Sequence, residues 1–214
     1  YPLFGFWSGL MGLSKSFIIR IELMKLNNNF YNNMIYYMKF SIHAFIMIFF
    51  MTMPIIIGSL SNWLLPLMLM SSDLIFPRLN NFSFWLLIPS LILMMLYMML
   101  SNNINTGWTL YPPLINQNFF TLYFIIFSLH LNGISSIFSS INFISSIFFI
   151  NNNNFFLNNI TLYIWSIIIT PILFIISIPI LSSAITMFIL DINLNMNFFY
   201  PLGNGNPILY QHLF

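Results

Sequence analysis

The chain has 214 residues, 59% of them hydrophobic and 19% aromatic, with only 4% charged and a net charge of +2. A soluble domain carries about a quarter charged residues, so this chain cannot face water over most of its surface, and its small net charge gives no argument for nucleic acid as a partner. The absence of cysteine excludes disulfides, thiolate metal sites and cysteine nucleophiles. Phe, Ile, Leu, Met, Asn and Tyr dominate, valine is absent, and Ala44 and Ala184 are the only alanines. That bias follows A/T-rich codons and points to an organelle genome. Lysine should rise with it, yet only Lys15, Lys25 and Lys39 occur, as a requirement for membrane insertion would impose.

A membrane helix needs about 20 apolar residues. The first span runs from Tyr1 to about Leu23 and closes on Arg20 and Glu22; Lys15 inside it has no explanation in the sequence. The second runs from about Met34 to Leu69 and contains "SIHAFIMIFFMTMP", residues 41–54, with His43 in otherwise apolar surroundings. Met47, Phe50, Pro54 and Gly58 follow His43 on one helical face, a soft wall suited to a flat cofactor. After Asp73 the third span covers about Phe82 to Leu100, the fourth Phe119 to Ile150 and the fifth Leu162 to Leu190, and a sixth opens near Pro207. Asparagine-rich connections such as "KLNNNFYNN" and "NNNNFFLNN" read as turn sequence. Helices are expected because each span must satisfy its own backbone groups, and no barrel-like alternation is visible. The fold class is therefore an all-α integral membrane bundle, one membrane domain over 1–214, with about five spans and the start of a sixth. Its apolar ends at Tyr1 and Phe214 are expected of an internal piece of a longer protein.

Alternation of spans places Arg20, His43, Trp108, Tyr111 and Asp191 towards one side and Asp73 towards the other. An intramembrane histidine is functional by default, and neutral imidazole is a common axial ligand to heme iron; the bland reading of His43 is a hydrogen bond to a neighbouring helix. Arg20 is read as an interfacial anchor or as a donor to a cofactor substituent. Span four carries a polar stripe of Ser128, Asn132, Ser135, Ser139, Asn142 and Ser146 at spacings of three and four. Small polar residues in membranes serve close helix packing, and Asp73 with Asn80 would extend this stripe to water as a proton route. His130 falls off the stripe and is expected to bond structurally.

The segments "HAFIMIFFMTMP", "SNWLLPLML", "FPRLNNFSFWLL", "GWTLYPPL", "FSLHLNGISSI" and "PILYQHLF" closely resemble subunit I of the mitochondrial cytochrome c oxidases, in the heme-copper oxidase superfamily. The resemblance runs in order along nearly the whole chain. It implies a twelve-span subunit of the mitochondrial inner membrane that reduces O2 to water with electrons from cytochrome c, pumps protons, and works beside subunits II and III. It implies heme a, heme a3 and a copper ion as cofactors. By that likeness His43 is an axial ligand of heme a and Arg20 bonds the heme formyl group. Tyr36, Trp108 and Tyr111 belong to the heme surroundings, and Glu22 to a peripheral cation site. Asp73 marks a proton entrance lined by Asn80, Ser135, Ser136 and Asn142. The copper ligands, the high-spin heme ligand and the second axial histidine are expected beyond Phe214, so this stretch alone would be inactive.

The sequence departs from the pattern at Ile192, where arginine is usual after Asp191, at Tyr200 and Asn206, where aspartates are common, and at Asn33, where an acidic residue often stands. The loop after Pro113 looks short. A cytochrome b-type carrier would need two histidines in one span, and no span here has two. A quinol-oxidising member of the superfamily and a transporter with a packing histidine are the other readings.

Overall fold

The computed structural model describes residues 1–24, 33–100, 107–112, 119–150 and 160–214. The asparagine runs of the first and fourth connections lie outside these residues, as do the shortened loop after Pro113 and the Asn33 side chain. Helix α1 spans Pro2–Leu23 and α2 spans Asn33–Phe45; the latter continues through two wide π-helical stretches, Ile46–Thr52 and Pro54–Ser61, into α3, Asn62–Met68. Then come α4 (Pro77–Leu100), α5 (Phe119–Ile150), α6 (Leu162–Leu194), a 3-10 turn at Pro201–Gly203 and α7 (Pro207–Leu213). No strand occurs among the described residues.

Among the described residues four helical segments are long and apolar enough to cross a membrane: Tyr36–Leu69, Pro77–Leu100, Phe120–Phe149 and Leu162–Leu194. The chain is an all-α multispanning membrane protein. The expected first span forms as α1, but Lys15, Arg20 and Glu22 make it more polar than the four. Outward faces are apolar, as at Phe6, Leu10 and Phe17 of α1 and Leu173 and Ile176 of α6.

Lipid tails are as apolar as leucine, so helix association here depends on close packing and on hydrogen bonds between helices. Helix α1 supplies the close packing. Gly5, Gly9 and Gly12 are buried along one stripe; a Cβ at each would meet Ile55, Met51 and Met47 respectively. The residue numbers fall as the partner numbers rise, so the two helices run antiparallel. Ser8 sits on the same stripe and donates to the Phe50 carbonyl at 2.6 Å.

The wide turns of 46–61 are held by bonds reaching back five residues: Met53 N–H to Ile48 O, and Thr52 Oγ1 to Met47 O at 2.7 Å. Burial then falls at Ile46, Phe50, Pro54 and Gly58, every fourth residue. This changes the face expected from regular helical spacing. Met47 packs on Gly12 of α1, while Pro54 and Gly58 line a small cavity towards α5, so the four residues form no single wall.

Two apolar clusters flank the middle of the bundle. One gathers Ile42, Phe45, Phe50, Met94, Ile125 and Phe188; the other gathers Leu65, Leu74, Phe143, Ile147 and Ile164. Between them α5 turns Asn132, Ser135 and Ser139 inward, all buried. In the last turn of α6, the buried Asp191 carboxylate accepts the N–H groups of Phe198 at 2.7 Å and Phe199 at 2.9 Å from the segment beyond. It fixes the turn into α7 through backbone donors, with Ile192 where an arginine was expected.

Candidate functional site

His43 lies at the end of the regular part of α2, one turn before the helix widens. Its Nδ1 is 2.8 Å from the carbonyl oxygen of Gly12. A carbonyl can only accept, so Nδ1 carries the proton, and in the neutral ring Nε2 keeps its lone pair. That is how metal-ligating imidazoles are oriented: one ring N–H is tied to an oxygen and the other nitrogen is left basic. The bond exists because Gly12 has no side chain to hold α1 away; a Cβ there would come within 2.6 Å of the Met47 sulfur.

Arg20 is exposed near the end of α1. No described residue forms a hydrogen bond or ion pair with its guanidinium, so its donors are available to a ligand. It stands eight residues past Gly12, about 12 Å along the helix. Tyr36 lies two turns before His43 and packs edge-on against Tyr37. Trp108 and Tyr111 sit together, Trp108 against Phe214 and Tyr111 against Tyr210. The Tyr111 hydroxyl is buried without a partner, and Tyr210 donates to the Thr109 carbonyl at 2.9 Å. These residues hold the loop after α4 onto α7.

Glu22 is engaged within the chain. Its Oε1 accepts from the Lys39 ammonium, and no group of three or more acidic or histidine side chains occurs among the described residues. The peripheral cation expected at Glu22 does not fit here: an ammonium already neutralises the carboxylate.

On the far side Asp73 is exposed and accepts from the N–H of Leu74 at 2.8 Å. The segment after it is pinned by the stripe of α5: Ile75 N–H donates to Ser146 Oγ at 3.2 Å and Phe76 N–H to Asn142 Oδ1 at 3.1 Å. The Asn142 amide nitrogen is left buried and unpartnered. Asn80 Oδ1 accepts from Asn62 Nδ2 at 3.1 Å, and the Asn80 carbonyl accepts from the Tyr1 hydroxyl at 3.1 Å. Tyr1 also meets Ser83 Oγ at 2.5 Å, and Ser135 Oγ donates to the Ser83 carbonyl at 2.6 Å. Sequence reading missed Tyr1, Asn62 and Ser83. Ser83 stands one turn after Asn80 on α4 and donates to its carbonyl at 2.8 Å, while Tyr1 and Asn62 are brought to Asn80 by helix pairing.

Above this network a cavity of about 30 Å³ is lined by Tyr1, Pro54, Asn132, Ser135, Ser136 and Ser139, among others. About 10–15 Å³ holds one water when two to four polar partners are near, so it has room for about two. Much of the stripe also serves packing: Ser128 donates to the Ser90 carbonyl at 2.8 Å and Ser90 to the Ser128 carbonyl at 2.6 Å. His130 bonds to the Ile126 carbonyl at 2.8 Å, as expected for a structural role, but its Nε2 is buried without a partner.

The family described as "Cytochrome C and Quinol oxidase polypeptide I" matches residues 1–214. The chain belongs to this family. It is 42% identical over 219 residues to cytochrome c oxidase subunit 1 of Eremothecium gossypii, covering 100% of this chain and 41% of that protein. It is 39% identical over 218 residues to the subunit of the same name from Pecten maximus, covering 100% of this chain and 46% of that protein. The Yarrowia lipolytica subunit is 41% identical over 219 residues, with 100% and 41% covered. The chain thus spans less than half the length of these relatives. In the oxidase polypeptide I family, the residues around His43 fit a heme: an oriented imidazole with a free Nε2, and a free guanidinium on the neighbouring helix.

Proposed function

We propose that this chain is part of the catalytic subunit of a cytochrome c oxidase of the mitochondrial inner membrane, which reduces O2 to water and pumps protons. The reading is carried by the His43–Gly12 bond, within a family whose relatives bear that name. His43 would hold heme a through Nε2, with Arg20 donating to a heme substituent and Tyr36, Trp108 and Tyr111 in the surrounding shell. The heme, when bound, supplies reversible one-electron chemistry. Gly12 keeps the imidazole in one tautomer and one orientation, so the ligand does not have to reorganise. Arg20 places positive charge beside the cofactor in a medium of low dielectric, where charges interact strongly.

Electron arrival in such a medium calls for compensating protons. Asp73 faces water and can bind and release one. The amides and hydroxyls of Asn80, Asn142, Ser135 and Ser136, joined by Tyr1, Asn62 and Ser83, do not take up and release protons as Asp73 does, and instead hold water in line. The unpartnered Asn142 amide and the Asn132, Ser135, Ser136 and Ser139 side chains along one wall of the small cavity support this reading, because buried polar atoms without protein partners are where ordered water is found. Heme a3, copper, O2 reduction and the contacts with cytochrome c and subunits II and III belong to the complete subunit in its complex, so the described stretch alone is inactive.

The test is His43→Ala in the complete oxidase. The low-spin heme a signal should disappear while the subunit still inserts and assembles. A normal heme a spectrum would refute the assignment.

A further inference from the structure

Helices α1 and α2 enclose a charge arrangement that the heme and proton sites do not use. Glu22 is the chain's only glutamate. Its side chain is 10% exposed and that of Lys39 is 18% exposed, so both charges are largely out of water. Oε1 bonds the ammonium, and Oε2 is buried with no hydrogen-bond partner. Lys15 stands seven residues before Glu22, about 10 Å along the same face of α1. A second cation brought to this carboxylate would meet one ammonium in contact and another nearby. Burying either partner of such a pair alone is costly, because the remaining charge stays desolvated. Lys15 and Lys39 are two of the four Lys and Arg residues among the described residues, and Lys39 is the one that contacts Glu22.

We infer that Lys39 takes the place of a bound metal ion at Glu22, so that α1 and α2 are joined by an internal ammonium and need no external cation. Hard cations such as Ca2+ and Na+ seek carboxylate oxygens. Here the carboxylate is neutralised by a covalently attached charge that no chelator can remove. The seam beside His43 would then keep its geometry at any cation concentration. The inference rests on the reading of this chain as part of an oxidase, and the two are separable by experiment: a heme a band reports the oxidase, and cation binding reports Glu22.

The experiment uses the complete purified oxidase as native protein, as Lys39→Met, and as Lys39→Met with Glu22→Gln. Ca2+ binding is measured by equilibrium dialysis, and melting is followed with Ca2+ and with chelator. The native protein should show no saturable Ca2+ site that depends on Glu22, and the same melting temperature in both media. Lys39→Met should gain a saturable Ca2+ site at Glu22, and the double variant should lose it. A Ca2+ ion bound by the native protein and lost in the double variant would overturn the inference. So would a Lys39→Met protein as indifferent to Ca2+ as the native one. If Lys39→Met fails to assemble, native melting with and without chelator still decides: a fall on chelation overturns the inference.

Discussion

Gly12→Ala tests the joint between fold and site. The new Cβ would stand 2.6 Å from the Met47 sulfur, 3.1 Å from its Cγ and 3.3 Å from Ile46 Cγ2. Overpacking of this kind costs about 1–3 kcal/mol. Alanine returns about 1 kcal/mol over glycine in a helix interior, so the net loss should be about 0–2 kcal/mol and the protein should still assemble. The flexible Met47 side chain can give way, but α1 must also move outward, and the Gly12 carbonyl moves with it. The bond to His43 Nδ1 is worth about 1 kcal/mol. Its loss makes the imidazole less basic and disfavours the oxidised iron. If the whole of that energy acted on the oxidised state, the potential of heme a would rise by about 40 mV, since 59 mV corresponds to a tenfold change for one electron.

Gly9→Ala is the control. Its Cβ would meet the Met51 sulfur at 3.0 Å on the same seam, with no histidine bonded to its carbonyl. Spectroelectrochemical titration of heme a in both variants should show a rise in Gly12→Ala and none in Gly9→Ala. Equal shifts in the two would mean that seam spacing alone tunes the heme. No shift in either would refute the role given to the Gly12 carbonyl.

Further outcomes are expected. Asp73→Asn should slow proton uptake from its own side and reduce pumping in reconstituted vesicles, with heme spectra unaltered; unchanged uptake and oxygen consumption would leave the α5 stripe as packing alone. Arg20→Met should retain heme a, shift its absorption to the blue and lower its potential, and an unchanged spectrum would make Arg20 an interfacial anchor. Asp191→Asn should lower stability by about 1–3 kcal/mol, because the amide nitrogen would face one of the two N–H groups of Phe198 and Phe199; a melting temperature equal to that of the native protein would refute this.

The pattern of the Asp191 turn shows how a departure in sequence can leave local structure intact. Arginine was expected at position 192; with Ile192 there, the Asp191 carboxylate is satisfied by the backbone N–H groups of Phe198 and Phe199. The wide turns at 46–61 show the opposite case. Regular spacing placed Met47, Phe50, Pro54 and Gly58 together, and bonds reaching back five residues rotated Met47 towards α1 and left Pro54 and Gly58 facing the small cavity.

The helices themselves were legible in the sequence. Starts and ends at Leu23, Leu100, Phe119, Ile150 and Leu162 match the expected spans, because in a bilayer length and hydropathy decide where a helix crosses and backbone satisfaction allows little else. His43, Arg20 and Asp73 stood out as candidates, since an ionisable group in such a sequence is rare. Pairing was not legible. Which carbonyl faces His43, which ammonium reaches Glu22, and whether Tyr1 and Asn62 meet Asn80 depend on the register between separate helices. That register is set by where glycines let two backbones approach and where hydroxyls find a carbonyl across the gap. The sequence places these small residues along each helix, but only the packed bundle decides what stands opposite them.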